Sequence, residues 1–243
     1  MEYERAVLSF VDGLLSERRP FLERFRPFQR RVAEIGMVNS LAQLLIKCTA
    51  PGVPDFYQGT ELWDLTFVDP DNRRPVDYGV RTSLLQQVQT ETPSPSHART
   101  LVETRQNGRI KLYTIARALA VRRALADTFA SGAYVPLRTT GTHAEQIFAF
   151  ARTGPSGIAV TCVPRLIGSL PGRCASPPLG RECWGDTAVL LPCSRGALPL
   201  ANAFTGQQVT PTPNPGNGTR LEVGDVFADF PVGLLTASGP SAS

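Results

Sequence analysis

The sequence has no apolar run of about 18 residues, the minimum that suggests a membrane-spanning helix. Its first residues, Met-Glu-Tyr-Glu-Arg, lack the apolar core of a signal peptide. No C-x-x-C pair occurs, so neither a zinc site nor a redox-active pair is predicted. Scattered thiols are typical of a reducing compartment, and we expect a cytoplasmic location without membrane contact. The cysteines are Cys48, Cys162, Cys174, Cys183 and Cys193.

A strong excess of charge of one sign is also lacking, since the net charge is only +4. The arginines concentrate on predicted helical stretches at 18–31 and 99–123, and no aromatic-rich basic stripe accompanies them. Residues 51–80 instead hold six acids against two arginines. Solvated helix faces therefore explain the arginines better than a nucleic-acid surface, and no nucleic-acid partner is predicted. Nucleic-acid binding stays a remote alternative.

The chain is long enough for one or two domains, and 42% of its 243 residues are hydrophobic, which suffices for a core. Apolar residues recur at helical spacing in its first half. This spacing predicts helices over 2–18, 21–48, 77–89, 98–104 and 109–130, with a linker at 90–96. Pro27 is expected to start a new helix rather than to lie inside one.

After Gly132 the composition changes to short β-type runs separated by glycine, proline and asparagine. Repeated short strands with turn signals predict a small antiparallel sandwich. The predicted strands are 134–138, 146–152, 158–165, 187–191, 207–210 and 232–236. We expect 168–185 to be a surface excursion and 210–219 to be a loop, while Trp184-Gly185-Asp186 should anchor a turn of the β-domain.

The most informative stretch is 50–78. A Pro-Gly break leads into a predicted strand at 53–57, where Pro54 fits the strand's first residues. The loop 60–78 that follows is too long for a simple connector and is rich in charged residues, which indicates a functional role. A helix, a strand and a polar loop in this order are typical of a (β/α)₈ barrel, whose chemistry lies at the strands' C-terminal ends.

The run at 51–61 reads Pro-Gly-Val-Pro-Asp-Phe-Tyr-Gln-Gly-Thr-Glu and resembles the last barrel strand of the α-amylase superfamily. Its continuation, Leu-Trp-Asp at 62–64 and Val-Asp-Pro-Asp-Asn-Arg-Arg-Pro-Val-Asp-Tyr at 68–78, is similar to the malto-oligosyltrehalose synthase family. Shorter matches on both sides, in the correct order, extend the resemblance over essentially the whole chain.

The resemblance implies an α/β plus all-β fold in three parts. Residues 1–89 would be the C-terminal portion of the catalytic (β/α)₈ barrel, comprising its last helix and strand with a substrate loop at 60–78. Residues 90–131 would be a linker and helical connector. Residues 132–243 would form a C-terminal antiparallel β-sandwich.

The family's activity is an isomerisation in trehalose biosynthesis. The terminal α-1,4 linkage of a malto-oligosaccharide is converted to α,α-1,1 by intramolecular transglycosylation, without a metal or organic cofactor. Such retaining chemistry needs a carboxylate nucleophile and a carboxylic acid. The resemblance places both, with a third aspartate, on earlier barrel strands upstream of this chain. No catalytic residue is therefore predicted here, although Glu61 and Asp64 remain an alternative pair.

The loop 60–78 is instead expected to bind the sugar. Carboxylates, amides and guanidinium groups hydrogen-bond to glucose hydroxyls, and aromatic rings stack on sugar faces. The predicted substrate-binding residues are Glu61, Trp63, Asp64, Asp69, Asp71, Asn72, Arg73 and Arg74. An alternative is that Arg73 or Arg74 pairs with Asp69 or Asp71 merely to stiffen the loop. Tyr57, on the predicted strand, is expected in the core more often than at a ligand.

The implied partners are the malto-oligosaccharide and the missing N-terminal barrel portion. An incomplete barrel would leave strand edges and helix faces exposed, so we expect the chain alone to be poorly soluble or to need that portion from another chain. The chain would then be a catalytically incomplete piece. The alternatives are a non-catalytic glucan-binding module, half of a split enzyme, or another glycoside hydrolase of the superfamily.

Overall fold

The structure is a computed structural model that describes residues 2–16, 20–172, 177–192, 198–214 and 218–238. It divides into two compact units, Met1–Met37 and Val38–Ser243. The predicted three-part division at 89 and 131 stays a prediction. Within the described ranges, no helix is both long enough and apolar enough to cross a membrane.

The first unit consists of helix α1 (Glu2–Leu15) and the beginning of α2 (Pro20–Thr49). The prediction that Pro27 starts a helix is wrong, because Pro27 lies inside α2. Pro20 takes the first helical position, where the missing N–H costs nothing, while Pro27 only removes one bond from a long helix. No residue of α1 is buried, and apolar side chains of both helices are exposed.

The second unit opens with the end of α2, whose buried residues all lie beyond Met37. It continues with α3 (Tyr78–Thr90), α4 (Pro95–Glu103), α5 (Arg109–Ala124) and α6 (Ala126–Ser131). Two short helices, α7 (Gly180–Trp184) and α8 (Val223–Val226), lie among the later strands. The single helix expected over 109–130 is interrupted at Leu125. Helix α4 begins earlier than expected because the Ser94 side chain accepts a hydrogen bond from the His97 N–H and caps the helix.

The predicted barrel strand at 53–57 is wrong for this structure, since these residues are irregular and Val53 is 92% exposed. A strand is stabilised by hydrogen bonds to a neighbour, and no sheet of the described chain reaches this segment. Pro54 also lacks a donor. The coarse prediction of helices followed by antiparallel sheets is confirmed.

Two antiparallel sheets follow the helices. The strands of the first sheet are β1 (Ala133–Pro136), β3 (Ile147–Gly154), β4 (Gly157–Pro164), β6 (Leu200–Asn202), β7 (Gln208–Val209) and β10 (Gly233–Ser238). Their order is β1-β3-β4-β10-β6-β7. The second sheet contains β2 (Thr139–Thr140), β5 (Ala188–Leu191), β8 (Thr212–Pro213) and β9 (Thr219–Glu222), in the order β2-β5-β9-β8.

The six predicted strands are confirmed with small shifts of their ends, as β1, β3, β4, β5, β7 and β10. Strands β2, β6, β8 and β9 were not predicted, because runs of two to four residues carry no readable alternation. The predicted loop at 210–219 is wrong where it overlaps β8 and the start of β9.

The larger sheet separates two hydrophobic clusters. Along β4, Ala159 and Val163 belong to the cluster with the helices, whereas Val160 and Cys162 belong to the cluster with the smaller sheet. This alternation is the period of two that a strand imposes. Residues on both faces of the larger sheet are therefore buried.

The cysteines only partly follow the prediction. Cys48 and Cys162 are buried free thiols, and burial raises the pKa of Cys48 to about 11. Cys183 is disulfide-bonded, so the expectation of scattered thiols is wrong for that residue. Cys174 and Cys193 lie outside the described residues. The cytoplasmic location stays a prediction.

Candidate functional site

Trp63 anchors the start of the loop 60–78 to the helices of the second unit. Its indole Nε1–H donates to the Arg105 carbonyl at 2.7 Å. The Lys111 ammonium lies 5.5 Å from the ring centroid and donates to the Leu62 carbonyl at 3.0 Å. Trp63 is half-buried against the helical core, so its first role in this structure is to position the loop.

Arg81 on α3 clamps both ends of the loop. Its Nε donates to Glu61 Oε2 at 3.0 Å, and its two Nη groups donate to the carbonyls of Gly59 at 2.6 Å and Asp77 at 3.1 Å. The Asp77 carboxylate in turn caps α3 by accepting from the Val80 N–H at 3.0 Å. The Glu61 carboxylate is thus already bound by the protein.

Asp64 closes a local turn. Its Oδ1 accepts from the Thr66 N–H at 2.9 Å and from the Thr66 hydroxyl at 2.7 Å. These hydrogen bonds stabilise the ionised form and lower the pKa of Asp64. A general acid needs a raised pKa. The arrangement therefore does not favour Glu61 and Asp64 as the catalytic pair.

The tip of the loop brings four of the predicted charged residues together. Arg73 forms an ion pair with Asp69, and Arg74 forms one with Asp71, which also accepts from the Phe67 N–H at 2.8 Å. These are the contacts that the stiffening alternative predicts. The Arg73 and Arg74 side chains are nevertheless 71% and 74% exposed. Asp69 is 56% exposed, and a pair this exposed contributes about 0–1 kcal/mol, so either of its partners is free to bind a ligand. Asp71 is only 22% exposed, so in the second pair Arg74 is the accessible partner.

Asn72 lies between these pairs in the short 3₁₀ turn Asp71–Arg73. Its Oδ1 is shielded from solvent and has no hydrogen-bond partner within the described part of the chain. A shielded acceptor of this kind is costly unless a donor reaches it. A sugar hydroxyl is one such donor. Phe67, by contrast, is 84% exposed and packs into no core.

A cleft of about 300 Å³ adjoins the loop in the second unit. It is lined by Ser40, Gln43, Leu44, Lys47, Tyr57, Thr60 and Lys111. Tyr57 is therefore half-exposed at a cleft rather than buried, contrary to the expectation of a core position. Sequence reasoning missed the cleft, although one signal was available. The chain has only two lysines among its 25 basic residues, and both line it.

The acidic side chains of the loop contact other groups of the protein. Among the residues that the structure describes, no group of three or more histidine, cysteine, aspartate or glutamate side chains is placed to hold an ion. The acids of the loop are instead bound to Arg81, Thr66, Arg73 and Arg74.

No protein-family model matches the sequence. Two curated relatives come from Mycobacterium tuberculosis, strains CDC 1551 / Oshkosh and ATCC 25618 / H37Rv, and each carries the name "Putative maltooligosyl trehalose synthase". Both are 41% identical to this chain over 197 residues, which are 81% of this chain and 20% of the relative. The chain thus spans about a fifth of the length of the curated relatives it matches.

Solved structures give a consistent result. The maltooligosyltrehalose synthase of Arthrobacter ramosus is 31% identical with a TM-score of 0.68, over 92% of this chain and 25% of that one. A mutant of the same Arthrobacter enzyme is 32% identical with a TM-score of 0.67, over 90% of this chain and 24% of that one. A third maltooligosyl trehalose synthase, at 24% identity and a TM-score of 0.65, supports the fold alone.

Proposed function

Because this chain belongs to the maltooligosyl trehalose synthase family while spanning about a fifth of its curated relatives, we propose that it is one segment of a glucan mutase. The complete enzyme would convert the terminal α-1,4 linkage of a malto-oligosaccharide to an α,α-1,1 linkage. The observation that carries this proposal is the 41% identity over 197 residues. The segment alone would be catalytically incomplete.

The proposed reaction breaks one glycosidic bond and forms another within the same bound sugar. A carboxylate displaces the leaving oxygen while a carboxylic acid protonates it, and a sugar hydroxyl then takes the place of water in the second displacement. The loop carboxylates do not suit these roles, since Glu61 is bound by Arg81 and Asp64 by Thr66. We therefore assign the nucleophile and the acid to the part of the family's length that this chain does not cover.

The loop would contribute sugar contacts. We propose that Asp69, Asp71, Arg73 and Arg74 exchange their ion pairs for hydrogen bonds to glucosyl hydroxyls, and that Asn72 Oδ1 accepts a further one. Glu61, Trp63 and Asp64 would act mainly by holding the loop in place. This division rests on the partners. The ion pairs at the loop tip join residues of the loop to one another, whereas Glu61 and Trp63 are held by Arg81 and Arg105 outside it.

The remaining barrel portion is the proposed partner. In the first unit, the Phe25 ring stacks on Phe21 and contacts Phe28 at a tilt along α2, and all three rings stay exposed. At the loop, Phe67 and Leu65 are exposed as well. Clusters of exposed apolar side chains often mark an interface. We propose that the barrel portion covers each of these two clusters, so that the chain behaves as half of a split enzyme.

The test is complementation. The purified chain would be assayed on maltopentaose alone and after co-expression with the part of the M. tuberculosis relative that it does not match. We expect no turnover alone, and a loss of reducing ends without release of small sugars after complementation. The unmatched part alone is the control.

The other possible outcomes would support a different function or contradict the proposal. Release of glucose or maltose would identify a hydrolase, and binding of maltodextrin without turnover in the complemented sample would identify a glucan-binding module. Turnover by the chain alone would contradict our assignment of the catalytic residues.

Sugar binding by the loop is tested in the complemented enzyme with Asp69→Asn and Arg73→Met. We expect each variant to raise KM at least tenfold, about 1.4 kcal/mol of binding. The free energy of unfolding should fall by less than about 1 kcal/mol because the pair is exposed. Arg123→Met, on the exposed side of α5, is the control. A loss of stability with unchanged KM would instead support the stiffening role.

A further inference from the structure

The two lysines of the chain meet at one cleft although they are distant in sequence. Ser40, Gln43 and Lys47 follow one another at helical spacing near the end of α2, and Lys111 lies in the first turn of α5. Hydroxyl groups of Ser40 and of two residues after the helix, Tyr57 and Thr60, complete the polar lining. The cleft therefore offers two cations surrounded by hydrogen-bonding groups.

Within the described ranges, no ion pair joins Lys47 or Lys111 to a carboxylate. The Lys47 ammonium lies 4.2 Å from the Phe56 ring centroid. The Lys111 ammonium donates one hydrogen bond to the Leu62 carbonyl. With contacts to the described residues counted, two donors of Lys111 and all three of Lys47 are left for a ligand.

The electrostatics also favour an added negative charge. Burial lowers the pKa of Lys111, and the positive charge of Lys47 lowers it further. Asp64 and Glu61 act in the opposite direction, yet they are held by Thr66 and Arg81 and do not reach hydrogen-bond distance. Two cations that repel each other in a partly desolvated cleft are stabilised by an anion between them.

We propose that this cleft binds a phosphate group through Lys47 and Lys111, with the hydroxyls of Ser40 and Tyr57 as further donors. The Thr60 hydroxyl already donates to the Tyr57 carbonyl at 2.7 Å. Phosphate offers several acceptor oxygens and two negative charges, and lysine binds it as a point charge. The volume of about 300 Å³ leaves room for a small organic moiety beside the phosphate. A neutral glucan would not need two cations, so this site lies beyond the proposed mutase function.

The rarity of lysine makes a direct experiment possible. The full chain, labelled with ¹³C at the lysine side chains, should give two sets of lysine signals, which Lys47→Arg and Lys111→Arg would assign. Inorganic phosphate and glucose 6-phosphate would be titrated separately at constant ionic strength. We expect both signals to shift and to saturate. Tighter binding of glucose 6-phosphate would identify a phosphate ester as the ligand class, and equal binding would identify free phosphate.

The controls separate a built site from general charge attraction. Lys47→Gln should weaken binding at least tenfold, and because Lys47 is exposed the variant should fold normally. Arg123→Gln removes the same charge elsewhere on the second unit and should change affinity less than twofold. A shift that never saturates, or a response to maltose but not to phosphate, would overturn the proposal. Binding is measured without turnover, so the result is independent of the mutase activity.

Discussion

Replacing Trp184 by alanine is expected to lower the free energy of unfolding by roughly 3–5 kcal/mol, the usual cost of removing a fully buried tryptophan. Trp184 has no exposed surface and lies in the cluster between the two sheets. Its ring meets that of Phe227 edge to face at 5.5 Å, and its Nε1–H donates to the Pro178 carbonyl at 3.0 Å. Alanine would leave a cavity and a buried carbonyl without its donor. Urea denaturation followed by far-ultraviolet circular dichroism measures the change.

Two variants separate the contributions to this loss. Trp184→Phe keeps most of the ring but removes the N–H, so we expect a smaller loss of about 1–3 kcal/mol. Trp63→Ala makes the same truncation at the other tryptophan, which is only half-buried, and should cost less than Trp184→Ala. A loss below about 1 kcal/mol for Trp184→Ala, with an unchanged denaturant slope, would show that the cluster does not depend on this ring.

The segment around Trp184 shows how far sequence reasoning reaches. The anchoring role of Trp184-Gly185-Asp186 was predicted and is confirmed, since Asp186 Oδ1 accepts from the Thr142 N–H at 2.9 Å. The surface excursion predicted over 168–185 is wrong at its end, where helix α7 (Gly180–Trp184) places Trp184 in the core. Prolines and cysteines indicate an irregular chain, but they do not show that it folds back under a sheet.

Strand prediction succeeded where the sequence pattern itself indicates a hairpin. It failed where strand formation depends on a neighbouring strand that the sequence does not reveal. Strands β3 and β4 have long β-branched and aromatic runs, and a short turn joins them into a hairpin. The run 53–57 has a similar composition, yet a strand exists only if another one lies beside it. No strand of the described chain does so. Sequence composition therefore predicts a tendency to form a strand, and the presence of a neighbouring strand determines whether one forms.

The same distinction between local and distant contacts applies to the candidate site. Asp69, Asp71, Arg73 and Arg74 meet because they are neighbours in sequence, so their pairing could be anticipated. For the cleft, the rarity of lysine singles out Lys47 and Lys111, but the sequence does not show that folding brings Lys111 to the end of α2 from a distant helix.

Arg152 on β3 joins the helices to the sheet. It is buried, and its Nη2 donates to the carbonyls of Thr128 at 3.3 Å, Phe129 at 3.0 Å and Gly132 at 3.1 Å. Its Nη1 reaches the Thr49 carbonyl at 3.5 Å. Carbonyls at helix C-termini generally lack intrahelical partners and carry partial negative charge. They can therefore stabilise the buried Arg152 guanidinium as a carboxylate would. Arg152 thereby connects the ends of α2 and α6.

Replacing Arg152 by methionine is expected to lower the free energy of unfolding by roughly 2–4 kcal/mol, because the buried carbonyls of Thr49 and Phe129 lose this donor at a cost of about 1–3 kcal/mol each. The Thr128 carbonyl keeps its bond from the Gly132 N–H. These costs are not additive. They are partly offset because the variant no longer buries a cation, and burial already lowers the pKa of Arg152. Arg152→Lys should recover only part of the loss, since one ammonium cannot reproduce the planar guanidinium. The exposed Arg123→Met should stay within about 0.5 kcal/mol of the parent in the same urea denaturation. A methionine variant as stable as the parent would mean that desolvating the cation costs as much as its hydrogen bonds contribute.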